Sequence, residues 1–318
     1  MKIPVSGVRR SEMIRSKSGA AGLSIASNSI LIALKLAAGA ITGSIAIITE
    51  AVHSSIDLMA SVVAFISVRK AAEPADADHP YGHEKVENLA AVIEGMLIVV
   101  GAGIIVFEAT RRLVDPPDGV EVIAVGLAVA AFSMLANIGV STFLFRRARE
   151  LRSPALEGDA AHLRTDAMTS AGLLVGLGLV EVTGVVAFDS ITAMLIAAAI
   201  VVAGIRILSR SSRVLVDEAP PPEELDRIEE AIAAAREPEV AGYHKLRARR
   251  SGAHRHIDLH VQFRSGTTLE RAHELAHALR GAIEDAIPYS DVLIHVEPET
   301  SLTSEEEEED HPLRHGRL

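Results

Sequence analysis

The sequence predicts two parts of different class: an all-α bundle of six membrane-spanning helices, and after it a small cytoplasmic α+β domain. Three observations predict it. Between about residue 20 and residue 207 the 318-residue chain repeats apolar stretches of spanning length, and such a helix needs roughly 20 mostly apolar residues. The loops between these stretches carry their basic residues on one side only. From Val216 onward, apolar residues recur at the 3.6- and 2-residue periods of a soluble domain.

The spans fall at about 20–42, 44–68, 86–110, 119–145, 155–182 and 188–209. Stretches such as GLSIASNSILIALKLAAGAITGS and SAGLLVGLGLV are rich in Gly, Ala and Ser, which let membrane helices approach closely. An even number of spans puts both termini on one side. Arg9, Arg10, Arg15 and Lys17 precede the first span, Arg69, Lys70 and Lys85 follow the second, Arg146, Arg147, Arg149 and Arg152 follow the fourth, and Arg210 and Arg213 follow the sixth. The opposite loops offer Arg111 and Arg112. The positive-inside rule makes both termini cytoplasmic and the protein a multi-pass cell (inner) membrane protein. Residues 1–18 are polar and basic with no apolar core, so no cleavable signal peptide is expected.

After the sixth span, Pro220–Pro222 break the helix. EELDRIEEAIAAARE reads as an amphipathic helix, GYHKLRARR and HRHIDLHVQF as strands, TTLERAHELAHALRGAIEDAI as a second helix and DVLIHVEP as a third strand. In the second strand Ile257, Leu259, Val261 and Phe263 alternate with His256, Asp258, His260 and Gln262. The order αββαβ is that of a ferredoxin-like, metallochaperone-like layer of helices on a sheet. The expected organisation is a cytoplasmic tail over 1–18, a six-helix domain over 19–213, a cytoplasmic domain over 214–298 and an acidic disordered tail over 299–318.

Composition narrows the chemistry. The chain has no cysteine, so any metal must sit on His, Asp, Glu or backbone oxygen. The net charge is −11, and EEEEED at 305–310 argues against a nucleic-acid partner. Membrane lipids are the expected surroundings.

Three constellations carry chemistry. In the second span His53 and Asp57 stand at i and i+4, and in the fifth His162 and Asp166 repeat that spacing. Such pairs share a helix face. A charged side chain at the bilayer centre costs roughly 2.5–3.5 kcal/mol on insertion scales. Two matched pairs in different helices therefore predict a use: two imidazoles and two carboxylates make a tetrahedral set that suits Zn2+. The bland alternative is interhelical hydrogen bonding. The second constellation is the loop PADADHPYGHEK, where Asp76, His79 and His83 lie close in sequence and could hold a metal with solvent or Asp78; incidental loop histidines are the alternative. The third gathers histidines of the soluble domain, including His244, His260, His273 and His295 with Glu297, and no short motif unites them.

His273-Glu274-Leu275-Ala276-His277 is also an H-E-x-x-H, the helical spacing of zinc proteases. Its helix must use Leu275, Ala276, Leu279 and Ile283 to cover a sheet, and no substrate cleft is suggested, so no enzyme activity is expected.

Together, the H-x-x-x-D pairs, the loop ADADHPYGHEKVENLAA and the terminal VLIHVEP resemble the cation diffusion facilitator family of membrane metal transporters, over about residues 19–298. The resemblance implies a homodimer that exports a divalent cation from the cytoplasm in exchange for protons. It implies a transport site of His53, Asp57, His162 and Asp166, a loop site of Asp76, His79 and His83, and a two-metal cytoplasmic site of His244, His260, His273, His295 and Glu297. It also implies a charge interlock between Lys85 and Asp217 across the dimer. Many bacterial relatives have Asp where this chain has His53, and the His-Asp/His-Asp form resembles zinc-preferring members. Zn2+ is thus the expected ion, both transported and regulatory, with Fe2+, Cd2+, Co2+, Ni2+ and Mn2+ as alternatives on the same mechanism. A membrane metal sensor without transport is the alternative of another class. Lys35 could snorkel; Glu50, one turn before His53, could support the site or help proton passage, Glu94 in the third span is open in the same way, and Arg164 has no assigned role.

Overall fold

The computed structural model describes residues 5–42, 45–115, 124–185, 187–300 and 314–317, with backbone alone for 5–15, 42, 45–50, 52, 53, 56, 124–126 and 314–317. The chain divides into two compact units, Met1–Arg213 and Val214–Leu318.

The first unit is helical: α1 (Val5–Thr42), α2 (Ile45–Ala71), α3 (Lys85–Val114), α4 (Ala124–Leu151), α5 (Pro154–Thr183) and α6 (Ala187–Leu215). Among the described residues, five of these hold a window apolar enough to cross a membrane. The sixth, α2, is 27 residues long and interrupts its apolar run with Glu50, His53 and Asp57. Helix α5 starts where Ser153 accepts a hydrogen bond from the backbone N–H of Leu156 (3.4 Å) ahead of Pro154, and ends at Gly184, whose φ of 72° is a conformation glycine adopts without strain. Small residues fill the seams: Ala20, Ala21, Ala90, Ala148, Ala155 and Ala160 pack with Leu144, Leu156 and Leu163.

Helix α1 begins at Val5, within the segment expected as a cytoplasmic tail over 1–18. Near the head of its apolar run α1 makes a buried ion pair with α3. Lys17 Nζ lies 2.6 Å from Glu87 Oε1 of α3, both buried, and Ser153 Oγ donates to the other oxygen of Glu87. Lys35 does not snorkel either: it is buried and donates to Ser54 Oγ at 2.7 Å.

The second unit runs α7 (Pro222–Ala234), β1 (Val240–Ser251), β2 (His254–Phe263), α8 (Leu269–Ala286), β3 (Ser290–Pro298) and β4 (Arg314–Arg317). The sheet order is β3-β2-β1-β4. A two-residue hairpin turn at Gly252 (φ 56°) makes β1 and β2 antiparallel; α8 is the crossover that lets β3 run parallel to β2. Ile257, Leu259, Val261 and Phe263 point to one face and bury against Ile228 and Ile232 of α7 and Leu275, Leu279 and Ile283 of α8. The strand β4 was not expected in a disordered tail over 299–318. It pairs antiparallel with β1 and covers what would be an open edge; its four residues, RHGR, carry no apolar alternation by which to see it.

One irregularity matters for the site. Between His244 and Arg247 the register of β1 against β2 shifts by one residue, and Lys245 sits at φ 53°. This bulge lets Tyr243 and Leu246 both reach the core while His244 faces the other side.

Candidate cation sites

The first group joins α2 and α5. Their spacing puts His162 and Asp166 on one face of α5. His162 Nε2 lies 3.1 Å from Asp57 Oδ1 of α2, and both residues are buried. Asp57, His162 and Asp166 each offer a ligand atom within 4.8 Å of the others. His53 lies one turn before Asp57 on α2, and its side chain is outside the described residues. So is that of Glu50.

Around this group stand two carboxylates whose roles the spans did not disclose. Glu94 of α3 is wholly buried, with Oε2 3.7 Å from His162 Nδ1. Asp159, also wholly buried, precedes His162 by three residues on α5. Its Oδ1 accepts from Ser24 Oγ of α1 (3.1 Å) and Ser61 Oγ of α2 (2.8 Å). Asn28 Nδ2 donates to Ser61 Oγ at 2.9 Å, so a polar seam ties α1, α2 and α5. A charged residue three positions from a ligand candidate, inside an apolar span, was the signal that would have found Asp159. Arg164 turns to α4, where Nε donates to Ser141 Oγ (3.1 Å) and Nη2 to Thr142 Oγ1 (2.7 Å).

The second group lies in the loop between α2 and α3. Asp76 Oδ1 accepts from the backbone N–H groups of His79 (2.7 Å) and Asp78 (3.0 Å), an Asx-type turn that brings the loop back on itself. His79 Nδ1 then lies 3.3 Å from Asp76 Oδ1 and His83 Nε2 3.3 Å from Asp76 Oδ2. All three residues offer ligand atoms within 4.8 Å of one another. The backbone N–H of His79 holds the Asp76 carboxyl below the usual carboxylate range, with help from the two imidazoles. His83 is buried, and neither ring nitrogen has a hydrogen-bond partner among the described residues.

The third group is a row across the sheet of the second unit. Register sets His244 of β1 opposite His260 of β2, and His260 beside His295 of β3. The ring centroids are 5.0 Å and 4.7 Å apart. Glu297, two residues along β3 on the same face, reaches back: its Oε2 lies 2.8 Å from His244 Nε2, and its Oε1 lies 2.6 Å from His260 Nδ1 and 3.5 Å from His295 Nε2. His244, His260 and Glu297 form a third ligand set within 4.8 Å. His273 does not join them. It is exposed on α8, which packs on the opposite face of the sheet, and its ring meets that of His277 at 4.4 Å. Asp217 accepts from Arg249 Nη1 at 3.2 and 3.3 Å; Lys85 is the first residue of α3.

Residues 22–216 match the family described as the cation efflux transmembrane domain, and residues 220–299 match the cytoplasmic domain of cation efflux proteins. The uncharacterized transporter sll1263 of Synechocystis sp. is 35% identical over 277 residues, which cover 87% of this chain and 88% of that protein. The cation-efflux pump FieF of Cronobacter sakazakii is 32% identical over 269 residues, 85% of this chain and 88% of that one. A solved structure of a candidate zinc transporter, CzrB, in its zinc form is 34% identical, covering 27% of this chain and 98% of its own, with a TM-score of 0.26.

Proposed function

Because the chain belongs to the cation diffusion facilitator family, a family of cation efflux transporters and not of enzymes, we propose that it exports a divalent cation, Zn2+ first, in exchange for protons. The observation that carries this reading is the group Asp57, His162 and Asp166, three ligand atoms within 4.8 Å contributed by two helices of a multi-pass membrane protein. His53 is the fourth ligand. Two imidazole nitrogens and two carboxylate oxygens suit a tetrahedral Zn2+, whereas an all-oxygen set would suit harder ions such as Mn2+. The two carboxylates balance the charge of the ion in a medium where an unbalanced charge is costly.

Exchange follows from the ligands. A metal binds the unprotonated imidazole, so metal and proton compete for His53 and His162, and a free imidazole titrates near pH 6.5. The cation enters from the cytoplasm, the bundle rocks, and the same ligands then face outward and take up protons. Both termini are cytoplasmic. The loop site of Asp76, His79 and His83 binds a second cation beside the membrane.

The cytoplasmic domain regulates. The row of His244, His260 and His295 with Glu297 binds regulatory metal, and the protein works as a homodimer. His273 lies on the far side of the sheet from its own row, so it serves such a site only from a second copy. Lys85 and Asp217 form the interlock across the dimer, in competition with Arg249. The domain limits follow as 19–213 for the membrane part and 214–298 for the cytoplasmic part.

The test is flux, measured ion by ion, in vesicles carrying a pH gradient. Asp57→Ala and His162→Ala are expected to stop Zn2+ flux while the protein still inserts and folds. Parent-like flux in either variant would overturn the site. A parent protein that binds Zn2+ but moves no ion would favour a membrane sensor instead.

A further inference from the structure

Glu94 is a buried charged side chain of the first unit that the exchange scheme leaves unused. It is wholly buried, and neither carboxylate oxygen has a hydrogen-bond partner among the described residues. Its Oε2 lies 3.7 Å from Nδ1 of His162, a nitrogen that is likewise buried without a hydrogen bond, while Nε2 of the same ring faces Asp57 Oδ1 at 3.1 Å. One imidazole thus stands between two carboxylates from different helices, with α2 on one nitrogen and α3 on the other.

The packing around Glu94 is made to permit this. Gly158 and His162 are four residues apart on α5 and share a face. A Cβ on Gly158 would stand 3.0 Å from Glu94 Cβ and 3.1 Å from its Cγ, so the stem of Glu94 lies directly over the bare glycine. On the next residue of α3, a Cβ on Gly95 would stand 3.0 Å from the backbone nitrogen of Leu208, so α6 also comes close here. Glycines on two helices let α3 sit deep at this level, and the carboxylate that results points along α5 toward His162.

A histidine that binds metal through one nitrogen generally donates the other ring N–H to a carboxylate or carbonyl, which sets its tautomer and orientation. We infer that Glu94 is a positioning residue for efflux: its carboxylate accepts the Nδ1–H of His162, leaving the Nε2 lone pair free and aimed at the space shared with Asp57 and Asp166. This rests on the cation site proposed above. The 3.7 Å separation exceeds an N–H···O bond of about 2.9 Å by less than 1 Å, within reach of a small side-chain rotation. Charged neighbours in the same region are Asp57 of α2 and Asp159 and Asp166 of α5; none of them bonds to Nδ1. Glu94 touches no ion in this scheme and acts only through the ring it orients.

The experiment compares parent, Glu94→Gln, Glu94→Met and Asp57→Ala, with Zn2+ as the probe. Zn2+ flux into vesicles is measured against concentration, and Zn2+ binding to the detergent-purified protein by titration calorimetry. Glu94→Met keeps the shape and loses the acceptor. It should raise KM and Kd for Zn2+ by about 10–100-fold, the scale of lost outer partners of metal ligands, and lower the maximal rate far less. Glu94→Gln keeps an oxygen acceptor in the same place and should recover most of the affinity. A parent-like KM in Glu94→Met, or a Glu94→Gln protein as weak as Glu94→Met, would overturn the role. Should Glu94→Met fail to fold, Glu94→Ala is read by the same criteria. Asp57→Ala separates the two claims. If it is silent while Glu94→Met is normal, the cation site stands and the positioning role falls; if it transports normally, the site itself falls.

Discussion

Replacing Gly158 by alanine measures how closely α3 and α5 are held at the level of the membrane cation group. The added methyl would meet Glu94 Cβ at 3.0 Å, Glu94 Cγ at 3.1 Å and Ala91 Cα at 3.3 Å. Carbon atoms attract best at about 3.5–4.0 Å, so it intrudes by roughly half an ångström on all three. A rotamer change cannot relieve this, because Ala91 Cα belongs to the backbone of α3 and Glu94 Cβ is bonded directly to it. The helices must part, and overpacking of this kind costs about 1–3 kcal/mol. Against it stands the helix preference of alanine over glycine, about 0.8–1 kcal/mol. Gly178 of the same helix supplies the control, since a Cβ there meets nothing within 4 Å. Gly178→Ala takes the gain without the clash, so the difference between the two variants isolates a clash of about 1–3 kcal/mol. The assay is thermal unfolding of each purified protein in one detergent. At about 2–4 °C per kcal/mol, Gly158→Ala should melt roughly 2–12 °C below Gly178→Ala. Because parting the helices also moves Glu94 from His162, its KM for Zn2+ should rise while that of Gly178→Ala does not. Equal melting temperatures in the two variants would refute the spacing and the reasoning built on it.

Other outcomes follow from single contacts. Lys17→Met strands Glu87 as a buried charge and should destabilise the helical unit by about 3–5 kcal/mol, while Lys17→Met/Glu87→Leu should recover much of the loss on melting in detergent. Glu297→Gln removes a ligand carboxylate that reaches His244, His260 and His295; Zn2+ binding to this row by calorimetry should weaken by more than the roughly 10–100-fold that loss of an outer partner costs, while vesicle flux persists. Burial would raise the carboxyl of Glu224, but hydrogen bonds from Arg255 and Arg250 outweigh it and hold the group below the usual range. A lowered folded value stabilises above the unfolded value near 4.3 and is lost as pH falls through the lower folded one. Glu224→Gln should therefore melt below the parent at pH 7, with the gap closing as pH drops below about 4, measured by circular dichroism.

Features that depend on local spacing were legible in the chain. An apolar run of twenty residues announces a span whatever surrounds it, and His162 with Asp166 share a face because a helix turns every 3.6 residues. The alternation of Ile257, Leu259, Val261 and Phe263 likewise announced a strand with one buried side. What depends on pairing between distant segments was not legible. That His244, His260 and His295 form one row requires a parallel crossover and a bulge, and neither has a signature in the letters HKLR or HVQF. Lys17 reads as one more residue of a basic tail until Glu87, seventy positions away, is folded beside it. Glu94 was visible as a charge in a span, but its use depends on a glycine in another helix. The H-E-x-x-H motif shows the converse: local spacing does bring His273 and His277 together, at 4.4 Å, in a chain of a transporter family.

The bulge at Lys245 sets a rule about strand length. Tyr243 and Leu246 take the core face three positions apart, and the extra residue between them permits that spacing; a second register shift, between Val240 and Gly242, does the same for Val240 and Tyr243. Deleting Lys245 would leave Tyr243 and Leu246 two positions apart, the spacing of a regular strand, so both would still share the oily side with His244 between them on the ligand side. A single-residue change away from a register shift has no such outlet and would turn part of the strand over, so the shifts mark where this strand absorbs a change of length without exchanging its oily and ligand sides.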